Sequence, residues 1–259
     1  MINDRPNPVL NGLVVNVSCF GDNTGSISLT VNSGTPNFSF NWSDGGRGQS
    51  RSNLSAGSYT ATVTDANGCT DSRTFTVSQP SQALTLGGSI SQPSCSYTNN
   101  GSINLTVSGG TPGYSYEWSN GGRGQDLSGL SGGTYTVTVT DSNGCEETTS
   151  FTLTQPTQII LDETIVNVDC SGRNNGSISV SVTGGTRPRL GYDFRWSNGA
   201  TTSEITDLSG GNYSLTVTDA NGCIATATYS VEEPNPLSVT VSDVRNVSCL
   251  LYTSPSPRD

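Results

Sequence analysis

Seven cysteines are the side chains of this 259-residue sequence whose type and spacing promise covalent chemistry, and no histidine stands anywhere among them. Six fall into three successive pairs: Cys19 and Cys69, Cys95 and Cys145, Cys170 and Cys223. No CxxC spacing occurs, so neither a zinc site of the usual Cys/His kind nor a Ser-His-Asp or Cys-His relay can be assembled. Oxidation to disulfides is the chemistry that remains, and it places the chain in an oxidising compartment, extracellular or periplasmic. One bridge within each pair would close a loop of ~50 residues, worth roughly 4 kcal/mol of unfolded-state freedom in the chain-entropy model. The expectation is three structural disulfides made by these six residues. Cys249 is left over, either free or paired between molecules.

Other side chains that could do chemistry give less. Asp65, Asp141 and Asp219 each open an Asp-x-Asn-Gly-Cys phrase, where a carboxylate oxygen can cap the turn backbone. Calcium ligation is the alternative, but six to eight oxygens are needed and no dense acidic cluster accompanies them. No cofactor is expected. Trp42, Trp118 and Trp196 could stack on sugars, yet each closes an alternating aromatic triplet on one strand, which predicts core. Arg47 and Arg123, in Gly-Gly-Arg-Gly-Gln loops, are the best-placed exposed contact residues. No catalytic residue, and so no enzyme, is expected.

These residues recur because the chain repeats. The first cysteines lie 76 and then 75 residues apart, and the closing phrases read DANGC, DSNGC and DANGC. The predicted fold is all-β: a tandem array of three small immunoglobulin-like antiparallel β-sandwich repeats. The repeats are assigned to residues 6–80, 81–156 and 157–234, with a truncated fourth at 235–248. Each is near the lower limit for burying an adequate core, which makes a covalent supplement plausible. Apolar residues alternate, as Ile27, Leu29, Val31; Phe38, Phe40, Trp42; Tyr59, Ala61, Val63; and Phe75, Val77 in the first copy. Another apolar strand precedes each first cysteine, and Asn-Gly and Gly-Thr-Pro turns separate the runs. Tyr59, Tyr135 and Tyr213 are core candidates in a context similar to a tyrosine corner. The second cysteine lies ten residues after this tyrosine, whereas in antibody domains it lies two after. With a residue or two between the last strand of one copy and the first of the next, the junctions at Pro80, Pro156 and Pro234 have little slack.

The order C-x(5)-GSI-x-L-x-V, aromatic-x-aromatic-x-W-S-(N/D)-G, then L-S-x-G-x-Y-x-x-x-V-T-D-x-N-G-C, resembles the SprB repeat over about nine tenths of the chain. That resemblance implies a very large secreted cell-surface adhesin of Bacteroidota type, exported by a type IX system and connected with gliding motility. The third copy departs from the others, with GATTS where they carry GGRGQ.

A net charge of −10 repels phosphate backbones and anionic membranes, which argues against nucleic acid as a partner. No apolar run is long enough to span a membrane. The partner expected is an extracellular surface or polysaccharide, met weakly and many times. A carbohydrate-binding accessory array of an extracellular hydrolase and a surface-layer or matrix protein are the competing readings. Val239, Val241 and Val244 replay an opening strand before Cys249. The tail 249–259 resembles a translated sequencing-library adapter and is set aside, and the whole reads as an internal piece of something longer.

Overall fold

The computed structural model describes residues 6–187 and 191–244. Those residues fall into two compact units, divided between residues 157 and 158. All regular structure among them is β.

The first module contains β1 (Leu10–Val15), β2 (Gly25–Val31), β3 (Ser39–Trp42), β4 (Ser50–Leu54), β5 (Gly57–Thr64) and β6 (Thr70–Val77). These strands form two three-stranded antiparallel sheets, ordered β1-β2-β4 and β3-β5-β6. The second module repeats the plan with β7 (Thr85–Ser91), β8 (Gly101–Ser108), β9 (Ser115–Trp118), β10 (Leu127–Leu130), β11 (Gly133–Thr140) and β12 (Glu146–Leu153). The third has β13 (Ile160–Val166), β14 (Gly176–Thr183), β15 (Asp193–Trp196), β16 (Glu204–Leu208), β17 (Gly211–Thr218) and β18 (Ile224–Val231). Placing the first, second and fourth strands in one sheet and the third, fifth and sixth in the other is the strand division of an immunoglobulin-like sandwich.

Period-2 alternation dictates which face is buried. In β2, Ile27 and Leu29 are buried while Ser28 and Thr30 are not; in β5, Ala61 and Val63 are buried. Together with Leu10, Val17, Trp42, Leu54, Phe75 and Val77 they make one closed apolar core. Equivalent cores lie around Trp118 and around Trp196. The glycine of each Gly-Ser-Ile phrase is fixed by close approach: a Cβ on Gly25 would lie 2.6 Å from Val77 Cγ1 and 2.7 Å from the Leu54 carbonyl oxygen.

The strands β4, β10 and β16 have no counterpart in the sequence reading. Each is short, has few apolar side chains, and breaks register at a bulge, so alternation never develops. The residue at the irregularity is left-handed in all three: Asn53 (φ 56°), Gly129 (φ 70°) and Asp207 (φ 58°). The opening strand expected in the fourth copy is not formed in its described part. Leu237, Val239, Val241 and Val244 are fully or largely exposed and carry no strand. Residues 245–248, Cys249 and the tail lie outside the described residues.

Candidate functional site

Each module has two distinct ends, and every candidate residue belongs to one or the other. At one end the β5–β6 hairpin turns through Asp65-Ala66-Asn67-Gly68-Cys69. Asp65 is buried, and its Oδ1 accepts N–H bonds from Asn67 and Cys69, both at 2.9 Å, while Oδ2 accepts that of Thr35 at 3.0 Å. Asp141 does the same with Asn143, Cys145 and Thr111, and Asp219 with Asn221, Cys223 and Thr186. The Thr35 N–H leads the donors that hold the Asp65 carboxyl below its ordinary value. At Asp141 burial pushes upward, but the N–H groups of Thr111, Cys145, Asn143 and Gly144 outweigh it and the net shift is again downward. With both oxygens engaged by backbone, these carboxylates tie the turn to the Gly-Thr loop. Among the described residues no group of three or more acidic, cysteine or histidine side chains converges as a metal site requires.

The first cysteine lies at the opposite end. The Cys19 turn is anchored to the last strand through Val17 N–H to the Ser78 carbonyl and Gly21 N–H to Gln79 Oε1, both 2.9 Å. Gly57 pairs with Val77 at that end and Thr64 with Thr70 at the other, so the full length of β5 separates Cys19 from Cys69. Eight residues of strand span about 25 Å, whereas disulfide partners need Cα atoms within about 7 Å.

A bridge inside the module is therefore ruled out by geometry, and the expected pairing is corrected. Cys19 bonds to Cys145 of the next module, with Cα atoms 5.7 Å apart and 126 residues between them in sequence. Cys95 and Cys223 are also disulfide-bonded, while Cys69 and Cys170 are free thiols, against the expectation that all six would be oxidised. Equal spacing in sequence hid the fact that the two cysteines of a copy mark opposite poles of a sandwich.

The Cys19–Cys145 joint has a second component. The Asn143 side-chain amide donates to the Ser18 carbonyl at 2.9 Å, across the same boundary. A cleft of about 400 Å³ opens beside the bond, with Phe20 and Asp22 on one side and Leu84, Glu146 and Glu147 on the other. The connecting chain is held on both sides. Gln79 belongs to the first module through its bond to Gly21, and the Gln82 carbonyl accepts the Gly110 N–H at 3.0 Å in the second. Only Pro80 and Ser81 lie between these anchors.

The aromatic residues are structural in placement. Trp42, Trp118 and Trp196 are buried, and each indole N–H donates at 2.9 Å to a carbonyl of the following loop: Gly48, Gly124 and Thr202. The GATTS departure thus performs the same bond as GGRGQ. Tyr59, Tyr135 and Tyr213 are half-buried against the cores, and their hydroxyls donate to the carbonyls of Ser55, Ser131 and Ser209 four residues upstream. Arg47 and Arg123 are exposed. Sequence reasoning missed Arg51, whose guanidinium holds Asp44 through two bonds of 2.6 and 2.7 Å and lies 5.8 Å from the Trp42 ring.

The sequence model of the SprB repeat matches at residues 11–47, 87–123 and 163–201. The chain carries three SprB repeats. Each matched stretch runs from the first strand of a module through its first cysteine and tryptophan into the loop beyond, leaving the aspartate turn and second cysteine outside. No curated protein matches the chain in sequence. Among solved structures, the SprB array is similar to the N-terminal eight Ig domains of Down Syndrome Cell Adhesion Molecule, at 8% identity over 90% of this chain and 44% of that one, with a TM-score of 0.40. It is also similar to extracellular domains 3–5 of Drosophila OTK, at 11% identity over 88% and 93% of the two chains and a TM-score of 0.30. A third likeness is to domains 4–9 of surface layer protein SbsC, at 13% identity over 88% and 48% and a TM-score of 0.25. The SprB array spans less than half the length of the first and third of these. Among the described residues no helix is long and apolar enough to cross a membrane.

Proposed function

We propose that this chain is a non-catalytic, load-bearing repeat segment of a cell-surface protein, one that holds a binding region away from the cell in an oxidising environment. The observation that carries this reading is the Cys19–Cys145 bond between consecutive modules. Tension applied along the chain passes from Cys19 directly to Cys145, so the two-residue hinge at Pro80-Ser81 is relieved of load. SprB repeats, which resemble parts of surface adhesins, support the location. Adhesion in this reading is weak and multivalent, with an extracellular surface or polysaccharide as partner and effective concentration supplying retention. The buried tryptophans, with their N–H groups already bonded, give no support to a sugar-stacking accessory array.

Single-molecule pulling between the chain ends tests the load path. About 3.5 Å per extended residue across the bridged stretch predicts that the reduced protein extends at least roughly 400 Å further than the oxidised one. Equal extension with and without reductant overturns the reading.

A further inference from the structure

The Cys19–Cys145 bond forms part of the wall of the cleft of about 400 Å³ at the boundary of the first two modules. Both cysteines are half-buried, so the cleft gives a small reagent an approach to the sulfurs. Three exposed carboxylates line that approach: Asp22 from the first module, Glu146 and Glu147 from the second. Among the described residues that line it there is no basic side chain. Another carboxylate, Asp141, lies behind Cys145 and accepts its N–H at 2.9 Å, and the backbone donors that depress its pKa keep it ionised at neutral pH. Glu146 Oε1 accepts the Thr140 hydroxyl at 3.4 Å, a neutral partner that leaves the charge in place.

These charges belong to this bond and not to the repeat. Asp22 N–H reaches the Cys19 carbonyl at 3.2 Å, and in the second module the same turn bond runs from Thr98 N–H to the Cys95 carbonyl at 3.2 Å. Glu146 and Glu147 open β12 opposite Thr140 and Val139, and at the same register of β18, opposite Thr218 and Val217, stand Ile224 and Ala225. Cys95 and Cys223, which are also disulfide-bonded, are thus accompanied at all of these positions by uncharged side chains.

We infer that Asp22, Glu146 and Glu147 form an electrostatic guard on the joint, which makes the Cys19–Cys145 bond selectively resistant to anionic thiols and leaves it reducible by cationic ones. The inference rests on the reading of this bond as the load path and adds its regulation, since only thiols of one charge class release it readily. Reduction begins when a reagent thiolate attacks the Cys19 or Cys145 sulfur, and the S–S bond breaks to release the other as a thiolate. A second reagent thiolate attacks the reagent's own sulfur in the mixed disulfide and releases the remaining protein thiolate. Two reagent thiols become one disulfide, and their two protons end on Cys19 and Cys145. The attacking sulfur is negative in every case. A further negative charge on the reagent adds repulsion in a cleft of one sign, and a positive charge offsets it.

The test uses the full chain with its free thiols alkylated beforehand, reduced either with cysteamine, which is cationic, or with mercaptoethanesulfonate, which is anionic. Quenching with a second alkylating label and peptide mapping give the rate of reduction at Cys19 and Cys145 and, in the same molecule, at Cys95 and Cys223. Comparison within one molecule cancels the intrinsic reactivities of the two reagents. The preference for cysteamine is expected to be about tenfold larger at Cys19 and Cys145 than at Cys95 and Cys223, the lower end of what a field of one sign does to encounter rates. That excess is expected to shrink toward parity in about 1 M salt, where the Debye length falls to about 3 Å. The variant carrying Asp22→Asn, Glu146→Gln and Glu147→Gln is expected to lose it, with the near-ultraviolet circular dichroism of the buried tryptophans unchanged; where that spectrum changes, the salt dependence of the parent decides. Equal preference at both sets of cysteines overturns the inference, as does an excess that survives salt or the triple variant, or a rate independent of thiol concentration. The pulling experiment reads extension and this one reads chemical rate, so failure of either is separately visible.

Discussion

Phe75, Phe151 and Tyr229 hold the same place on the last strand of their modules, each ring inclined to the buried tryptophan at centroid distances of 6.4, 6.2 and 5.9 Å. In the first two modules the ring lies over a glycine. A Cβ on Gly12 would come within 2.7 Å of Phe75, and one on Gly88 within 3.0 Å of Phe151. In the third, Glu163 stands at the paired position, and the ring carries a hydroxyl that is buried without a hydrogen-bond partner. Burial pushes that phenol's pKa up, and the negative charges of Glu163 and Asp162 push it further. Removing an unmet buried hydroxyl at constant shape is favourable, so Tyr229→Phe is expected to stabilise the third module by about 1 kcal/mol in denaturant unfolding. Loss of stability would show that the hydroxyl is bonded in solution. The aromatic pattern was legible in the sequence because it follows strand period. The Gly12–Phe75 pairing was not, since the two residues lie on different sheets and nothing local connects them.

The hairpin carrying the aspartate is the element where local sequence says most. Asp-x-Asn-Gly marks the turn, and the carboxylate bonds to Asn67 and Cys69 follow from that chemistry. The bond from Thr35 across to Asp65 does not follow, because it depends on which loops share an end of the sandwich. The bulged strands β4, β10 and β16 were invisible for a related reason: their place in the sheet comes from pairing with β2, β8 and β14 rather than from their own side chains. Asp65 and Asp141 titrate lower in the folded chain than in the unfolded one. Their stabilisation is complete above the unfolded carboxylate value of about 4 and drains away as pH falls through the depressed folded values. Asp141→Asn is therefore expected to lower the melting temperature at neutral pH and to flatten the acid limb of the stability curve below about pH 4. An acid limb of unchanged slope would mean that this carboxylate is not linked to folding.

At the scale of the molecule, the decisive error of a sequence reading is one of direction. Spacing groups Cys19 with Cys69, and nothing in a single repeat reveals that a strand's length separates them. Only the head-to-tail order of modules brings Cys19 to Cys145. The two pairings make opposite predictions for single substitutions. If the bond joins modules, Cys19→Ser and Cys145→Ser each remove it, and the double variant loses no more than either alone, because residues in one interaction are not additive. Closing a loop of this length is worth roughly 2–5 kcal/mol, with the higher figure from the chain-entropy model. Cys69→Ser touches no bond of the isolated chain and is expected to match the parent in denaturant unfolding. Under pairing within a module, Cys69→Ser would instead cost as much as Cys19→Ser, and Cys145→Ser would add its own separate loss. The four curves thus decide whether the sulfur bridges close small cores one at a time or fasten each module to its neighbour. Only in the second case does stability grow with the number of consecutive modules.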